Sequence, residues 1–158
     1  MVERARESVW DYPRPPAIEH DTREVVIVHA GRELVRTTDA VRVLETSHPP
    51  AFYVPSRAVA EGVLVPNPRR TFCEFKGMAS YVDAVVDGHR TLAVGWTYPQ
   101  PSPGYEELAG MVSFYAGRLD HCTVGGDRVI AQPGDFYGGW ITAEIEGPFK
   151  GGPGTMGW

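Results

Sequence analysis

The stretch "RTFCEFKGMASYVDAVVDGHRTLAVGWTYP", residues 70–99, decides the fold class. It contains three successive runs rich in β-branched and aromatic residues, at 70–77, 79–88 and 90–99. Residues of this kind favour strands, and the Asp-Gly dipeptide at 87–88 is typical of a tight hairpin turn. The stretch therefore predicts three consecutive antiparallel strands.

Weaker β signals lie on both sides of this stretch. Residues 24–38, "EVVIVHAGRELVRTT", predict a hairpin with strands at 25–29 and 34–37 and a turn at the Ala-Gly dipeptide between them. A Gly-Gly dipeptide at 125–126 predicts another turn. Further short strands are predicted within residues 110–117, 120–132 and 139–147.

Two segments leave helix and strand open. In "TDAVRVLET", residues 38–46, Asp39 can cap one helical turn, or residues 41–43 can form a strand. "SRAVAEGVL", residues 56–64, can supply one short helix that starts at Ser56.

The whole pattern amounts to eight or nine strands and at most two short helices. It predicts a mostly β protein: one compact antiparallel β domain, tent-like or a small barrel or sandwich, with one or two short helices. The length of 158 residues suits a single domain. We expect an N-terminal arm at 1–24 packed on the domain, the β domain at 25–147, and a Gly-rich tail at 148–158.

Composition excludes several classes of function. The net charge of −5 and the lack of a basic run argue against a nucleic-acid partner. No apolar run approaches ~18 residues, so no membrane span is expected. The N-terminus lacks the apolar region of a signal peptide, and two cysteines make no disulfide framework, so we expect a cytoplasmic protein.

Sequence motifs for metals and cofactors are also missing. His121 and Cys122, with Cys73 or His48, can be pictured as zinc ligands, but the chain has no C-x2-C or H-x3-H spacing. No Gly-rich phosphate loop of the P-loop or dinucleotide type is present. We therefore expect neither a metal nor a cofactor.

The densest group of reactive residue types is "CEFKGMASY", residues 73–81. Cys73, Lys76 and Tyr81 bring a thiol, an amine and a phenol together across a strand and a bend that Gly77 permits. The plain alternative is a small core residue, a solvated charge and a core filler. Lys76 is notable because the chain has thirteen arginines and only two lysines, each followed by glycine. A lysine kept among arginines can mark a place where a compact ammonium is needed.

A second polar group lies in "ETSHPP", residues 45–50. Glu45 and His48, with Tyr53 close by, can form an acid/base group. The alternative is a loop whose polar side chains hydrogen-bond to the backbone.

The motif W-x-Y-P-x-P occurs twice, in "VWDYPRPP" at 9–16 and in "GWTYPQP" at 95–101. Trp96 and Tyr98 alternate along a predicted strand and therefore share one face. We expect the strand copy to form one wall of a site and the arm copy to cover it. In that arrangement the arm contributes Trp10 and Tyr12, and Arg14 binds an anion. The alternative is an arm that only covers an apolar surface.

Several of these motifs together resemble a bacterial family known as domain of unknown function 427. They are "VWDYPRPP", "LETSHPPAFYVP", "CEFKGMASY", "GWTYPQP", "SFY" and "GPFKGGPGTMGW". The resemblance implies a compact antiparallel β-fold, of the tent-like kind found in small zinc and ligand-binding modules, although the cysteine pairs of the zinc-bearing tents are missing. The family's Cys-x-x-Lys-Gly-x-Ala-x-Tyr pattern falls on residues 73–81. The family is sometimes labelled nucleotidyltransferase-like, but the chain lacks paired acidic metal ligands after a Gly-Ser turn.

These observations predict a β domain that binds a small polar or anionic organic molecule. The expected ligand-binding residues are Arg14, Trp96, Tyr98, Tyr53, Tyr115, Trp10 and Tyr12. If the protein is an enzyme, we expect metal-free and cofactor-free acid/base chemistry. Lys76 is then the electrostatic or proton-transfer group, Tyr81 a donor, Glu45 or His48 a base, and Cys73 a lesser option as nucleophile. The rival hypothesis is a non-enzymatic protein-interaction module that uses the Trp/Tyr/Pro-rich surfaces. The sequence predicts no oligomeric state.

Overall fold

The computed structural model of the chain describes residues 4–134 and 136–158. Its strands in chain order are β1 (Glu7–Ser8), β2 (Ala17–Asp21), β3 (Val25–His29), β4 (Arg32–Thr37), β5 (Ala40–Leu44), β6 (Ala51–Pro55), β7 (Leu64–Cys73), β8 (Gly77–Val86), β9 (His89–Thr97), β10 (Met111–Phe114), β11 (His121–Val124), β12 (Asp127–Arg128), β13 (Ile130–Ala131), β14 (Trp140–Ile141) and β15 (Ile145–Glu146). The mostly β prediction is confirmed, and many of the additional strands are two-residue pairings too short to leave a pattern in the sequence.

Helical structure in the described part of the chain is limited to four single turns of 3-10 helix, at Val9–Asp11, Ser56–Ala58, Glu106–Leu108 and Ala116–Arg118. The short helix predicted to start at Ser56 is one of these turns. None of the described helices is both long and apolar enough to cross a membrane.

The central element is a seven-stranded antiparallel sheet in the order β2-β5-β6-β10-β9-β8-β7. The three strands predicted from residues 70–99 are confirmed as β7, β8 and β9, which form one half of this sheet. A four-stranded sheet, β12-β11-β3-β4, is formed by the predicted hairpin at 24–38 and the segment after residue 120. Within the described residues the larger sheet ends at β2 and β7, so it is open and does not form a barrel.

The predicted turns have the backbone geometry that their residues favour. Asp87 and Gly88 have φ values of 50° and 79°, and Gly125 and Gly126 have 56° and 88°. Two consecutive positive φ angles are the mark of the type I′ turn, whose twist matches that of the flanking strands.

One face of the seven-stranded sheet packs against the four-stranded sheet to form a dry core. Its members are apolar and almost wholly buried, and they include Val25, Ile27, Leu34, Val35, Phe52, Val54, Val112, Phe114 and Trp140. Burying a side chain of this size contributes about 1.5–3 kcal/mol, so this layer holds the two sheets together.

The opposite face of the same sheet carries a second cluster that is mostly aromatic. It contains Tyr53, Tyr81, Trp96, Tyr98, Tyr105 and Tyr115, together with Leu108 and Met111. Gln132, residues 136–139 and Lys150 approach this face, and the space left between them and the sheet is the cavity described below.

The N-terminal segment, expected as an arm, contributes strands to the fold. Residues 17–21, expected in an arm, form edge strand β2 and pair with β5. Their polar character hid this pairing, because Glu19 is held by an ion pair with the buried Arg42 and not by apolar contact. β1 likewise pairs with β15, so the two ends of the chain meet. Within residues 38–46, where helix and strand were both left open, Ala40–Leu44 form strand β5, whose five residues are all buried and so show no alternation.

Candidate functional site

A cavity of about 280 Å³ opens on the aromatic face of the seven-stranded sheet. Three segments distant in sequence line it: the loop after β5, the turn between β7 and β8, and the segment that carries Gln132, Tyr137 and Lys150. The floor is the sheet itself. The cavity therefore exists only when the whole domain is folded.

The register of the sheet explains the floor. Tyr53 pairs with Ser113, Ser113 with Trp96, and Trp96 with Tyr81. Directly paired residues of antiparallel strands project to the same face, so these four side chains form one row. Ser113 is small and donates its hydroxyl to the Phe52 carbonyl at 2.8 Å. The two large neighbours meet above it, and Trp96 Nε1 donates to the Tyr53 hydroxyl at 3.1 Å.

Tyr98 and Tyr115 extend this floor. The Tyr115 ring lies 4.7 Å from Trp96, centroid to centroid, and its hydroxyl donates to the Phe136 carbonyl at 2.9 Å. Burial raises the pKa of the Tyr53, Tyr98 and Tyr115 phenols above the ordinary value. The three rings are therefore uncharged at neutral pH and present apolar faces with hydroxyl tips.

Lys76 ends the three-residue turn between β7 and β8. The turn is fixed by Gly77, whose φ is 113° and whose missing Cβ would lie 3.2 Å from the Gln100 carbonyl oxygen. The Ser102 amide donates to the Lys76 carbonyl at 2.9 Å, which anchors the turn. Lys76 Nζ lies 5.8 Å from the centroid of the Tyr98 ring.

The electrostatic setting keeps Lys76 charged. Burial is the largest influence and lowers the pKa of Lys76, whereas attraction to the Glu45 carboxylate, and to Tyr53 and Cys73 when they ionise, raises it; the net direction is above the ordinary value. Within residues 4–134 and 136–158, Lys76 Nζ has neither a hydrogen bond nor a carboxylate ion pair. The cavity thus contains an ammonium that donates to no acceptor among the described residues.

Lys150, the second lysine of the chain, lines the same cavity. Its Nζ lies 5.4 Å from the centroid of the Tyr137 ring. It too has no carboxylate ion pair among the described residues. Both lysines of the sequence therefore line one space, and neither forms an ion pair with a carboxylate that the structure describes.

His48 lies between these cations and is uncharged. Burial, and then the charges of Lys150, Lys76 and Arg14, lower its pKa to about 4. Its tautomer follows from Gln132, whose Oε1 accepts from the Gly139 amide at 3.0 Å. Gln132 Nε2 must therefore donate to His48 Nδ1, at 3.2 Å, and the imidazole proton is on Nε2.

The Glu45 carboxylate lies beside His48, with Oε2 3.7 Å from His48 Nε2. The same oxygen lies 3.7 Å from Arg14 Nε. Arg14 does not line the cavity, and its ion pair with Glu45 partly neutralises that carboxylate.

Gly138 closes the cavity against the floor. A Cβ at this position would lie 2.2 Å from Trp96 Cη2, so no other residue fits without moving the indole. The backbone at 138 rests directly on the ring, and Tyr137 is brought edge-on to His48 with centroids 4.7 Å apart.

The chain matches a family model described as "Domain of unknown function (DUF427)" over residues 17–125. This match covers most of the 158 residues. The chain belongs to the DUF427 family. No curated protein gives a significant match.

In this DUF427 chain, most residues predicted for the site line the cavity. Those predicted for chemistry all do: Lys76, Tyr81, Cys73, Glu45 and His48. Of those predicted for ligand binding, Trp96, Tyr98, Tyr53 and Tyr115 do.

Three predicted residues lie elsewhere: Trp10, Tyr12 and Arg14 do not line the cavity. Trp10 Nε1 donates to the Pro148 carbonyl at 2.9 Å, and Tyr12 donates its hydroxyl to Glu7 at 2.7 Å. The arm copy of the W-x-Y-P motif therefore packs on the C-terminal segment and on its own neighbours. The arm copy does not line this cavity, although Arg14 lies beside Glu45, which does.

Other residues of the site were missed from the sequence, chiefly Gln132, Tyr137, Gly138 and Lys150. They come from a segment predicted only as short strands and tail. One signal was available, because Lys150 shares with Lys76 its rarity and a following glycine.

The zinc arrangement pictured from the sequence does not form. His121 and Cys122 lie in β11 of the four-stranded sheet, and burial raises the pKa of the Cys122 thiol to about 12. Across residues 4–134 and 136–158, no three side chains of His, Cys, Asp or Glu lie close enough to hold a metal ion.

Proposed function

We propose that this DUF427 domain binds a small organic anion in the cavity on its aromatic face. The observation that carries the proposal is the convergence of Lys76 and Lys150 on one space, with no carboxylate of residues 4–134 and 136–158 within ion-pair distance of either. Charged groups removed from water are normally paired, and an anionic ligand would provide the missing partner.

The arginines of the chain differ from the two lysines in how they are paired. With carboxylates of the described residues alone, at least eight of the thirteen arginines form ion pairs. In a chain with a net charge of −5, acidic partners are plentiful. Two unpaired lysines in one cavity are therefore better explained by a ligand than by a shortage of acids.

The size and lining of the cavity support a small ligand. Its volume of about 280 Å³ is at the low end of the range for small-molecule pockets. Aromatic walls with a few convergent polar groups are typical of such pockets. The donors available to an anion are the two ammonium groups and the Nε2–H of His48.

Binding is better supported than acid/base catalysis. Lys76 is protonated and His48 is neutral with a pKa of about 4, so neither is a base with a pKa near 7. If a reaction occurs, Lys76 is suited to stabilise developing negative charge, and Glu45 is the remaining candidate base.

The protein-interaction alternative is less well supported. It relied on exposed Trp/Tyr/Pro surfaces, but Trp96 and Tyr98 are only 7% and 5% exposed. Only Trp10 of the two W-x-Y motifs is substantially exposed, at 42%.

A thermal-shift screen tests the proposal. We expect at least one compound in a panel of small organic anions to raise the melting temperature, because a ligand of the native state stabilises by mass action. Lys76→Met and Lys150→Met should abolish the shift. Lys76→Arg should weaken it while moving the unliganded melting temperature little, because the larger head group keeps the charge but changes the shape.

Arg32→Met is the matched control, since Arg32 is an exposed cation of β4 outside the cavity. This variant should respond as the wild type does. The proposal fails if no anion in the panel raises the melting temperature, or if both lysine variants still respond fully.

A further inference from the structure

We propose that the anion bound by this cavity is an aromatic carboxylate: a flat, unsaturated ring that carries one carboxylate group. This assignment rests on the proposed function and narrows it to one ligand class. It follows from the number and kind of donors, from the acids beside them, and from the rings that form the rest of the lining.

The donors suit a carboxylate better than a phosphate. Lys76 and Lys150 are compact point charges, and His48 offers one neutral N–H. No arginine is among the described residues that line the cavity, so the site lacks the planar fork that matches phosphate oxygens. The described 3-10 turns are also too short to offer a helix N-terminus for a phosphate group.

The acidic residues of the lining also favour a carboxylate over a phosphate. Glu45 and Glu74 both line the cavity, and only Glu45 has an arginine beside it. A phosphate monoester carries close to two negative charges at neutral pH and is repelled by these carboxylates more strongly than a carboxylate with a single charge. The two lysines balance the two glutamates of the lining, and Arg14 beside Glu45 adds one positive charge, which suits one anionic group of low charge.

The remaining lining suits a flat ring. Trp96, Tyr98, Tyr53 and Tyr115 supply rings from the sheet, and Tyr137 supplies another from the segment above it. Aromatic rings gain specific contact energy with one another beyond simple burial. A saturated body of equal size would gain only the burial.

Calorimetric titration of the full chain with four probes tests the assignment. Benzoate is the reference, benzamide removes the charge, cyclohexanecarboxylate removes the aromatic ring, and phenyl phosphate increases the charge. We expect benzoate to bind at least tenfold more tightly than benzamide, which reflects the charge-assisted hydrogen bonds. We expect it to bind roughly threefold to tenfold more tightly than cyclohexanecarboxylate and to be preferred over phenyl phosphate.

Lys76→Met and Lys150→Met should each weaken benzoate by tenfold or more, with Arg32→Met unchanged. If phenyl phosphate or cyclohexanecarboxylate binds as tightly as benzoate and still depends on both lysines, the aromatic carboxylate is refuted and anion binding stands. If benzamide binds as tightly as benzoate, both proposals are refuted.

Discussion

The two faces of the seven-stranded sheet carry similar aromatic side chains, but one face has phenylalanine at two places where the other has tyrosine. Phe52 and Phe114 face the four-stranded sheet, whereas the next residues in sequence, Tyr53 and Tyr115, face the cavity. Each face has one buried tryptophan as well. The same strands therefore present a dry aromatic layer on one side and a hydroxyl-bearing aromatic layer on the other.

The difference shows which residues serve stability and which serve a site. On the dry face the Trp140 indole is matched within the protein, because its Nε1 donates to the Phe114 carbonyl at 2.9 Å. On the open face, charged donors such as Lys76 have no protein acceptor among the described residues. We infer that the dry face supplies most of the folding energy and that the open face supplies the chemistry.

The largest expected effect on stability comes from emptying the dry face. Phe52 is 1% exposed and stacks on Trp140 with ring centroids 5.2 Å apart. Phe52→Ala should lower the free energy of unfolding by about 3–5 kcal/mol, because it removes buried surface and leaves a cavity. Urea unfolding measures this loss. A loss below about 1 kcal/mol would show that the layer between the sheets is not the principal core.

A smaller effect concerns the open face and depends on pH. The folded pKa of His48, about 4, is depressed below the ordinary value by burial and by Lys150, Lys76 and Arg14. In the unfolded chain His48 is protonated below about pH 6.5, whereas in the folded protein it stays neutral down to about pH 4. The free energy of unfolding therefore decreases as the pH falls from 6.5 towards 4.

This titration should account for roughly 2 kcal/mol between pH 7 and pH 4.5. His48→Gln removes the titrating group, so its stability should fall less than that of the wild type over this range. Urea unfolding of both proteins at the two pH values provides the comparison. Equal losses in both proteins would mean that His48 is not buried among cations.

A smaller change still is expected from removing one hydroxyl of the open face. Tyr53→Phe deprives Trp96 Nε1 of its acceptor at 3.1 Å and should destabilise the protein by about 1–2 kcal/mol. The converse change, Phe52→Tyr, inserts a hydroxyl into the dry layer and should also destabilise. If the converse change is neutral, the contrast between the two faces is smaller than described.

The sequence was most informative where neighbouring residues set the structure. The strands in residues 70–99 and the turns at Asp87-Gly88 and Gly125-Gly126 follow from local preferences, and the structure has them. The alternation of Trp96 and Tyr98 placed both on one face for the same reason. Local periodicity alone was sufficient at these positions.

The parts that the sequence did not predict depend on long-range contacts. β2 joins the sheet through Arg42, which is buried and pairs with Glu7 and Glu19, so its polar sequence resembled an exposed arm. Lys150 lies 74 positions after Lys76 in the sequence, yet both line the cavity. No local sequence pattern predicts this proximity. Ion pairs and convergence of distant segments are set by the folded topology.

The central claim, that an anion binds on the open face only, is tested most directly by the indole resonances of the two buried tryptophans. The Trp96 indole N–H is part of the cavity floor and donates to Tyr53, whereas the Trp140 indole N–H lies in the dry core and donates to Phe114. During a benzoate titration followed by nitrogen–proton NMR, with Trp96→Phe used for assignment, the Trp96 resonance should move progressively to saturation. The Trp140 resonance should stay in place. A Trp96 resonance that does not move at saturating benzoate, or a Trp140 resonance that moves as far, would contradict the account.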